Sequence, residues 1–305
     1  MSVNSRQKTP QINKRKQILM KKHKKPRPTV INTSEWLLFA ENRLDIAGIT
    51  SARLDSEIIM SKVLNMPRTY IHSHLNKRLS KQQLFHANNW LKKREKRIPL
   101  AYIFGEKEFY GRVFKVSENV LVPRPETEVI IELYKKISQK NDVILDIGTG
   151  SGILAITSFL EQKNLNIDVF ASDVSLKALE IAHNNADSLN ANINFIQSDL
   201  LSEITQEIKD KTTVILANLP YVNIDWIDQN STNELHYEPR NALYAGDMGL
   251  ELIKKLIQQS ENLKNLKFII IEADPEQHQN IINFAKNYEL KIKDQADYCL
   301  VLEKF

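Results

Sequence analysis

The sequence predicts a doubly wound α/β domain with a mostly parallel sheet of seven strands, preceded by a small helical domain. From residue 143 onward, short apolar runs alternate with helical patterns, which is typical of a sheet covered by helices on both faces. Residues 31–97 show helical periodicity alone. A glycine-rich turn at residues 148–152 follows the first apolar run, where such a sheet binds ligands.

Length and composition narrow the class of protein. The 305 residues suit two domains, and a hydrophobic content of 42% is enough for a sizeable core. No apolar stretch approaches the roughly 18 residues of a membrane span, so we expect no membrane association. The lone cysteine, Cys299, excludes an intrachain disulfide and fits a reducing, cytoplasmic setting. Without clustered Cys and His, a metal site is not expected.

The net charge of +5 comes from the first 30 residues. They hold ten of the 42 Lys and Arg and no acid, which leaves 32 basic against 37 acidic side chains in the remainder. We expect residues 1–30 to form a disordered basic tail. The tail is suited to contact RNA, such as the ribosome, through counterion release. It can equally be a solubilising extension, and Met20 is an alternative start that would remove most of it.

The helical domain is divided by helix-start signals. Thr33 or Ser34 is expected to cap a first helix, and Ser51 to start a second. Ser80 with Gln83 forms a capping box that opens a third helix. No catalytic signature lies in this domain.

A change of character at residues 98–123 predicts a β-hairpin linker. Residues 102–105 and 109–116 are short β-like runs around glycines. The α/β domain should then occupy residues 124–305, opening with Pro125 in the first turn of a helix.

The alternation in the α/β domain gives specific elements. We expect strands at residues 143–147, 168–172, 193–197, 213–217 and 267–272, and a final pair near 290–293 and 299–303. We expect helices to begin near Ser151, Ser175, Met248 and Pro275.

The turn after the first strand is a candidate cofactor loop. Its spacing is G-x-G-x-G, which lets the backbone turn tightly and approach a ligand at a helix N-terminus. An acid two positions earlier can hold the loop or meet an ammonium group through water. The candidate residues are Asp146, Gly148, Thr149, Gly150, Ser151 and Gly152.

Acids also end the second and third strands. Asp173 can accept hydrogen bonds from both hydroxyls of a ribose, or it can cap the following helix. Asp199 can accept from an adenine amino group with Leu200 against the ring, or it can be an ordinary turn residue.

The fourth strand runs into Asn218-Leu219-Pro220-Tyr221. The Asn218 side chain and the Leu219 carbonyl can both accept from a planar NH2 group, while Tyr221 covers its flat face. Such groups occur on side-chain amides and on bases. The alternative is an ordinary turn with a buried tyrosine.

Taken together, these motifs resemble a known family. The glycine loop is similar to that of class I methyltransferases, which use S-adenosylmethionine. Residues from about 31 to 305 resemble the release factor glutamine methyltransferase family. The motifs that carry this resemblance are Ile98-Pro-Leu-Ala-Tyr-Ile-Phe-Gly105, Glu108-Phe-Tyr-Gly111, Val120-Leu-Val-Pro-Arg-Pro-Glu-Thr-Glu128, Leu145-Asp-Ile-Gly-Thr-Gly-Ser-Gly152, Asn218-Leu-Pro-Tyr221, Tyr237-Glu-Pro-Arg-Asn-Ala-Leu-Tyr-Ala-Gly246 and Gly249-Leu250.

The resemblance implies a Rossmann-like methyltransferase sheet, S-adenosylmethionine as cofactor and a peptide chain release factor as partner. The substrate would be the glutamine of a Gly-Gly-Gln loop in this release factor, a protein of translation termination. The methyl group would be added to the side-chain nitrogen of that glutamine. Asn218 and Tyr221 would be catalytic, and residues 218–221 would bind the substrate.

Two residues depart from the family pattern. Leu219 stands where the family usually has proline, and Asn-Leu-Pro-Tyr also resembles the motif of rRNA adenine dimethyltransferases. Leu200 stands where some relatives have tryptophan. An adenine-N6 methyltransferase acting on RNA or DNA therefore stays an alternative, although the acidic body disfavours it. A non-catalytic RNA-binding module led by the tail is a third hypothesis.

Overall fold

The structure is a computed structural model that describes residues 31–223 and 234–305. The predicted basic tail, residues 1–30, lies outside the described residues. The chain divides into two compact units between Lys92 and Lys93, slightly before the boundary that the sequence predicted after Arg97. Over the described ranges, no helix is both long enough and apolar enough to cross a membrane.

The first unit is helical. Its helices are α1 (Thr33–Ile46), α2 (Ala52–Leu64), α3 (Arg68–Ser73) and α4 (Lys81–Arg94), the last of which continues past the boundary. Helix α1 is capped by Asn32, whose side chain accepts from the Glu35 amide at 2.9 Å. The prediction of Thr33 or Ser34 as the cap was wrong, because the Thr33 hydroxyl instead donates to the Lys77 carbonyl at 3.1 Å.

Helices α2, α3 and α4 are fixed by polar contacts. The predicted capping box before α4 is present, with Gln83 N donating to Ser80 Oγ at 3.1 Å and Ser80 N donating to Gln83 Oε1 at 2.9 Å. Helix α3 was not predicted, because six residues are too few for a periodic signal. It is tied to α2 by Arg68, which donates to the buried Glu57 at 2.8 Å.

The segment predicted as a hairpin linker contains a short helix followed by a hairpin. These elements are α5 (Leu100–Phe104), β1 (Glu106–Phe109) and β2 (Arg112–Lys115). The β-like run at residues 102–105 is therefore helical, which corrects the prediction. Pro99 precedes the first turn and Gly105, with φ at 75°, ends the helix, so local end signals prevail over the apolar pattern.

The second unit is built on a seven-stranded sheet, as predicted. The strands are β3 (Val143–Ile147), β4 (Asp168–Asp173), β5 (Asn194–Gln197), β6 (Val214–Ala217), β9 (Phe268–Glu272), β10 (Leu290–Ala296) and β11 (Cys299–Lys304), with a separate pair β7 (Val222–Asn223) and β8 (Tyr244–Ala245). Their order is β10-β11-β9-β6-β3-β4-β5, and only the pairs that include β11 are antiparallel. This is the mostly parallel, Rossmann-like arrangement that the sequence predicts.

Helices cover both faces of this sheet. They are α6 (Glu128–Ile137), α7 (Ile153–Glu161), α8 (Leu176–Leu189), α9 (Gln206–Lys211), α10 (Glu251–Ser260) and α11 (His278–Ala285). Successive strand residues such as Ile144 and Leu145 belong to two different buried clusters, since side chains alternate between the faces of a sheet. The sequence predicted a helix that begins near Met248. Met248 itself is not helical, since its φ is 55°, and α10 begins at Glu251.

The strand register brings the predicted site residues to one edge. Ile147 lies beside Ser172 and Ala217, and Ala217 lies beside Ile271. Because neighbouring parallel strands end together, the residues that follow these positions leave the sheet at the same carboxyl edge. Those residues are Gly148, Asp173, Asn218 and Glu272.

We expect the Asn32→Ala variant to lower the free energy of unfolding of the helical unit by about 1 kcal/mol, because it removes a capping hydrogen bond. Urea unfolding followed by circular dichroism measures the change. Asn42→Ala, at an exposed position inside the same helix, is the matched control and should stabilise slightly through helix propensity. Equal effects of the two substitutions would contradict the capping assignment.

Candidate active site

A cavity of about 270 Å³ lies at the carboxyl edge of the sheet. Ten of the residues predicted for the site line it: Gly148, Thr149, Gly150, Ser151, Asp173, Asp199, Leu200, Asn218, Leu219 and Pro220. Asp146, Gly152 and Tyr221 were also predicted for the site but do not line the cavity. The segment after the hairpin contributes a wall that the sequence did not predict, including Asn119, Arg124 and Thr127.

The glycine loop is fixed by hydrogen bonds to the next strand. Gly148 N and Thr149 N both donate to the Ser172 carbonyl at 2.9 Å. Gly150 N donates to Asp173 Oδ2 at 2.9 Å. Gly152 serves packing against α8, because a Cβ there would lie 3.2 Å from Ala182 Cβ. The loop is therefore held open toward the cavity while its last glycine lets α7 pack closely.

Asp146 holds the loop from beneath. It is fully buried, and its Oδ2 accepts from Thr149 Oγ1 at 2.6 Å and from Ala155 N at 3.1 Å. These contacts satisfy one of the free amides in the first turn of α7. Of the two roles predicted for this acid, the structure shows loop support. Burial raises the pKa of Asp146 to about 7, against the lowering effect of both hydrogen bonds.

Asp173 faces the cavity and is also bound to the backbone. Its Oδ1 accepts from Ser175 N at 2.9 Å while Oδ2 accepts from Gly150 N. Ser175 is the N-cap of α8, so the alternative of Asp173 as the helix cap was wrong. Burial raises the pKa of Asp173, and the backbone amides oppose that rise. The carboxylate is thus oriented beside the loop, where its free lone pairs can receive hydroxyl groups.

Asp199 and Leu200 form the far end of the cavity. Asp199 is half exposed, and its Oδ2 accepts from Lys255 Nζ at 2.6 Å. Leu200 is buried with φ at 53°, which directs its backbone through a sharp turn. The adenine role predicted for these residues stays a prediction, and Lys255 competes for the Asp199 carboxylate.

Asn218 is held by a residue from the unpredicted wall. Its Nδ2 donates to Thr127 Oγ1 at 3.0 Å, and Thr127 is buried. Leu219 packs into the core beside the glycine loop, where a Cβ on Gly148 would meet Leu219 Cδ2 at 3.0 Å. Leu219, at the position where the resembled family usually has proline, is therefore accommodated by packing.

Tyr221 lies away from the cavity. Its hydroxyl donates to Glu272 Oε1 at 3.1 Å, and its ring packs at the edge of a core cluster. Burial and the Glu272 carboxylate raise the pKa of the hydroxyl. The alternative of a partly buried tyrosine in a turn fits this position better than a ring over a substrate, so the predicted catalytic role of Tyr221 lacks direct support.

Two family-like segments that are far apart in sequence meet at the cavity wall. The buried Glu238 accepts from Val122 N at 3.0 Å and from the Arg124 guanidinium. Both segments are among the motifs that carry the family resemblance, but the sequence alone did not pair them. Glu272 was also missed, although its place at the end of a parallel strand was a signal comparable to that of Asp173.

The residues present fit a nucleoside cofactor with a cationic centre. Gly150 lines the cavity and a Cβ there would meet nothing within 4 Å, so the loop leaves space for a ligand against its backbone. Asp173 and Asp199 supply carboxylates to the same cavity. In the part of the chain that the structure describes, no group of three or more His, Cys, Asp or Glu could hold a metal ion.

Most of the chain is similar to known proteins. The profile of the PrmC N-terminal domain matches residues 35–105, and that of the methyltransferase small domain matches residues 126–266. A release factor glutamine methyltransferase of Koribacter versatilis is 36% identical over 244 residues, covering 77% of this chain and 86% of the relative. One from Buchnera aphidicola subsp. Schizaphis graminum is 34% identical over 261 residues, covering 85% and 92%.

A solved structure supports the fold. The catalytic domain of hMettl16 in complex with the MAT2A 3′UTR hairpin 6 aligns with a TM-score of 0.52 over 68% of this chain and 81% of that chain. The sequence identity is 15%, so this likeness concerns the fold alone.

We expect Asp146 to make stability fall as pH rises. Its pKa is raised from 3.8 to about 7, so its contribution is fully present below 3.8 and is lost as pH rises through 7. The Asp146→Asn variant lacks this titration. Urea unfolding of both proteins from about pH 4 to about pH 8 should therefore show wild type losing stability relative to the variant. A difference that stays constant with pH would contradict the burial of a titrating carboxyl.

Proposed function

The chain belongs to the release factor glutamine methyltransferase family, and on that premise we propose that it methylates a glutamine side chain of a peptide chain release factor, with S-adenosylmethionine as methyl donor. The acceptor is the side-chain nitrogen of the glutamine in a Gly-Gly-Gln loop. The observation that carries the proposal is the Asn218 amide, which lies at the cavity wall with its nitrogen donating to Thr127.

The residues of the glycine loop and Asp173 would hold the cofactor. Gly148 to Ser151 offer backbone beside the cavity, and Asp173 offers carboxylate lone pairs for ribose hydroxyls. S-adenosylmethionine supplies a methyl group on a positively charged sulfur, so the donor arrives already activated. The protein is then left with binding, orienting the acceptor and excluding water.

Asn218 and Leu219 would hold the acceptor nitrogen. Because Asn218 Nδ2 is engaged by Thr127, its Oδ1 is available to accept from the glutamine NH2 group. The Leu219 carbonyl supplies a second acceptor. An amide nitrogen becomes more positive as it forms a bond to the methyl group, so both acceptors bind the transition state more strongly than the ground state. Among the described residues, the ionisable side chains that line the cavity are Arg124, Asp173 and Asp199, and we assign none of them as a general base. The nitrogen loses one proton to solvent after the methyl group has been transferred, and the cofactor leaves as S-adenosylhomocysteine.

Methylation of an adenine in RNA or DNA is less well supported. Outside residues 1–30 the chain carries more acidic than basic side chains, whereas a nucleic-acid substrate favours a basic surface. The relatives from Koribacter versatilis and Buchnera aphidicola, 36% and 34% identical over the aligned residues, carry the release factor name. The RNA-bound structure shares only the fold.

Three finer assignments belong to this proposal. Residues 31–97 would contact the release factor, and residues 98–123 would connect them to the methyltransferase domain at 124–305. The basic residues 1–30 would touch RNA, such as the ribosome, in a salt-dependent way. The reaction would take place in the cytoplasm, which suits a chain with one cysteine.

Replacing Asn218 by alanine should lower kcat for release factor methylation by about 100-fold or more, the loss seen when one preorganised hydrogen-bonding group is removed. Transfer of labelled methyl from S-adenosylmethionine measures the rate. A release factor with the loop glutamine changed to alanine is the substrate control and should accept no label. Normal turnover by the variant, or labelling of the control, would exclude this mechanism.

Gly150→Ala tests the cofactor loop. The added methyl group would occupy cavity space that the cofactor is expected to fill. We therefore expect the Kd for S-adenosylmethionine, measured by calorimetry, to rise at least about ten-fold. Gly111→Ala is the matched control, because Gly111 also has positive φ and open space but does not line the cavity. Both variants carry about 1–2 kcal/mol of backbone strain. A similar Kd for the two variants would show that the loop does not contact the cofactor.

A further inference from the structure

We propose that Thr127 and Glu272 are positioning residues that set the orientation of the Asn218 side-chain amide, so that its oxygen and not its nitrogen faces the cavity. The inference rests on the proposed function, because it concerns how the enzyme presents an acceptor to the glutamine NH2 group. An asparagine amide has nearly the same shape in its two flipped orientations, and only its hydrogen-bond partners distinguish them.

Thr127 alone does not choose between the orientations. Its Oγ1 lies 3.0 Å from Asn218 Nδ2 and is buried. A hydroxyl can accept from the amide nitrogen, but it can also rotate and donate to the amide oxygen. The flipped amide would satisfy the same contact equally well. A further group must therefore take the hydroxyl hydrogen and leave only the accepting lone pairs for Asn218.

Glu272 is placed to take that hydrogen. It ends β9, directly beside the end of β6, because Ala217 pairs with Ile271. Asn218, which follows Ala217, therefore leaves its strand beside Glu272 with Thr127 bound to its amide nitrogen. Oε2 of Glu272 is buried, and no partner in the described residues meets full hydrogen-bond geometry with it, so this oxygen has free accepting capacity. An ionised carboxylate accepts and never donates, which removes the ambiguity of the hydroxyl.

The chain of contacts also includes the motif tyrosine. Tyr221 donates to Glu272 Oε1 at 3.1 Å, so the other carboxylate oxygen is already engaged. Burial raises the pKa of Glu272 and the nearby Glu126 adds to that rise, while the polar groups of Thr127, Tyr221 and Asn218 oppose it. Tyr221 is thus held by the buried acid at the end of the strand beside Asn218, which explains why the tyrosine lies away from the cavity.

The orientation decides which atom of a substrate the site accepts. With Oδ1 toward the cavity, Asn218 attracts an NH2 group and holds its nitrogen for methylation. A flipped amide would direct its own N–H donors at the NH2 group of the glutamine, and two donors repel each other. It would instead bind the glutamine side-chain oxygen and leave the nitrogen without an acceptor. Thr127 and Glu272 thus act on selectivity for nitrogen through Asn218.

The test compares Thr127→Val, Thr127→Ser and Glu272→Gln in the full chain. Valine keeps the shape and removes the hydroxyl, and the glutamine amide can donate to Thr127 and reverse its role. We expect both to lower kcat for the release factor by about ten-fold or more, the equivalent of one hydrogen bond, with the Kd for S-adenosylmethionine unchanged. The serine variant retains the hydroxyl and should turn over within about three-fold of wild type.

Thr157→Val is the matched control, because Thr157 is a fully buried threonine whose hydroxyl has no hydrogen-bond partner in the described structure. It should leave kcat unchanged. If Thr127 and Glu272 act through one amide, the Thr127→Val/Glu272→Gln double variant should lose no more than the worse single variant.

The outcomes separate this inference from the proposed function. Additive losses in the double variant, a shifted cofactor Kd, or normal kcat in both Thr127→Val and Glu272→Gln would overturn the inference while wild-type turnover upholds the function. No methylation of the release factor by wild type would overturn the proposed function and the inference with it. Should the valine variant fail to fold, Glu272→Gln and the serine variant give the same comparison.

Discussion

The hydrogen bond from Asn218 to Thr127 is the contact on which the rest of the candidate site depends. It joins the end of β6 to the turn before α6, so two segments that are distant in sequence form one wall of the cavity. The same wall is tied a second time by Glu238, which binds Val122 and Arg124. Without these contacts the sheet edge would offer a cofactor loop but no defined place for an acceptor nitrogen.

The other wall of the cavity is the glycine loop, which is held in place by two acids. Asp146 is fully buried and supports the glycine loop, and Asp173 accepts a hydrogen bond from the Gly150 amide of the same loop. Burial raises the pKa of both acids, so keeping them charged inside the protein costs free energy. A simple turn between a strand and a helix would not need two such acids. Asp146 supports the loop from beneath and Asp173 presents its carboxylate to the cavity, where it would attract a cationic methyl donor.

Local patterns in the sequence predicted the sheet, the glycine loop and most helix ends. Most strands of the sheet contain a short apolar run, and the glycine spacing is recognisable without knowledge of any contact, so these predictions agree with the structure. Local competition explains the errors. Asn32 outcompetes Thr33 as a cap because Thr33 is drawn to Lys77, and Pro99 with Gly105 makes a helix from an apolar run. The site was only half predictable, because Thr127, Glu238 and Glu272 act through contacts with residues far along the chain.

The most direct measurement is a crystal structure of the enzyme with S-adenosylhomocysteine and a Gly-Gly-Gln peptide. The account predicts that the glutamine side-chain nitrogen lies within about 3 Å of both Asn218 Oδ1 and the Leu219 carbonyl, with Asn218 still bound to Thr127. A peptide whose glutamine oxygen meets Asn218, or whose glutamine lies outside this cavity, would contradict it.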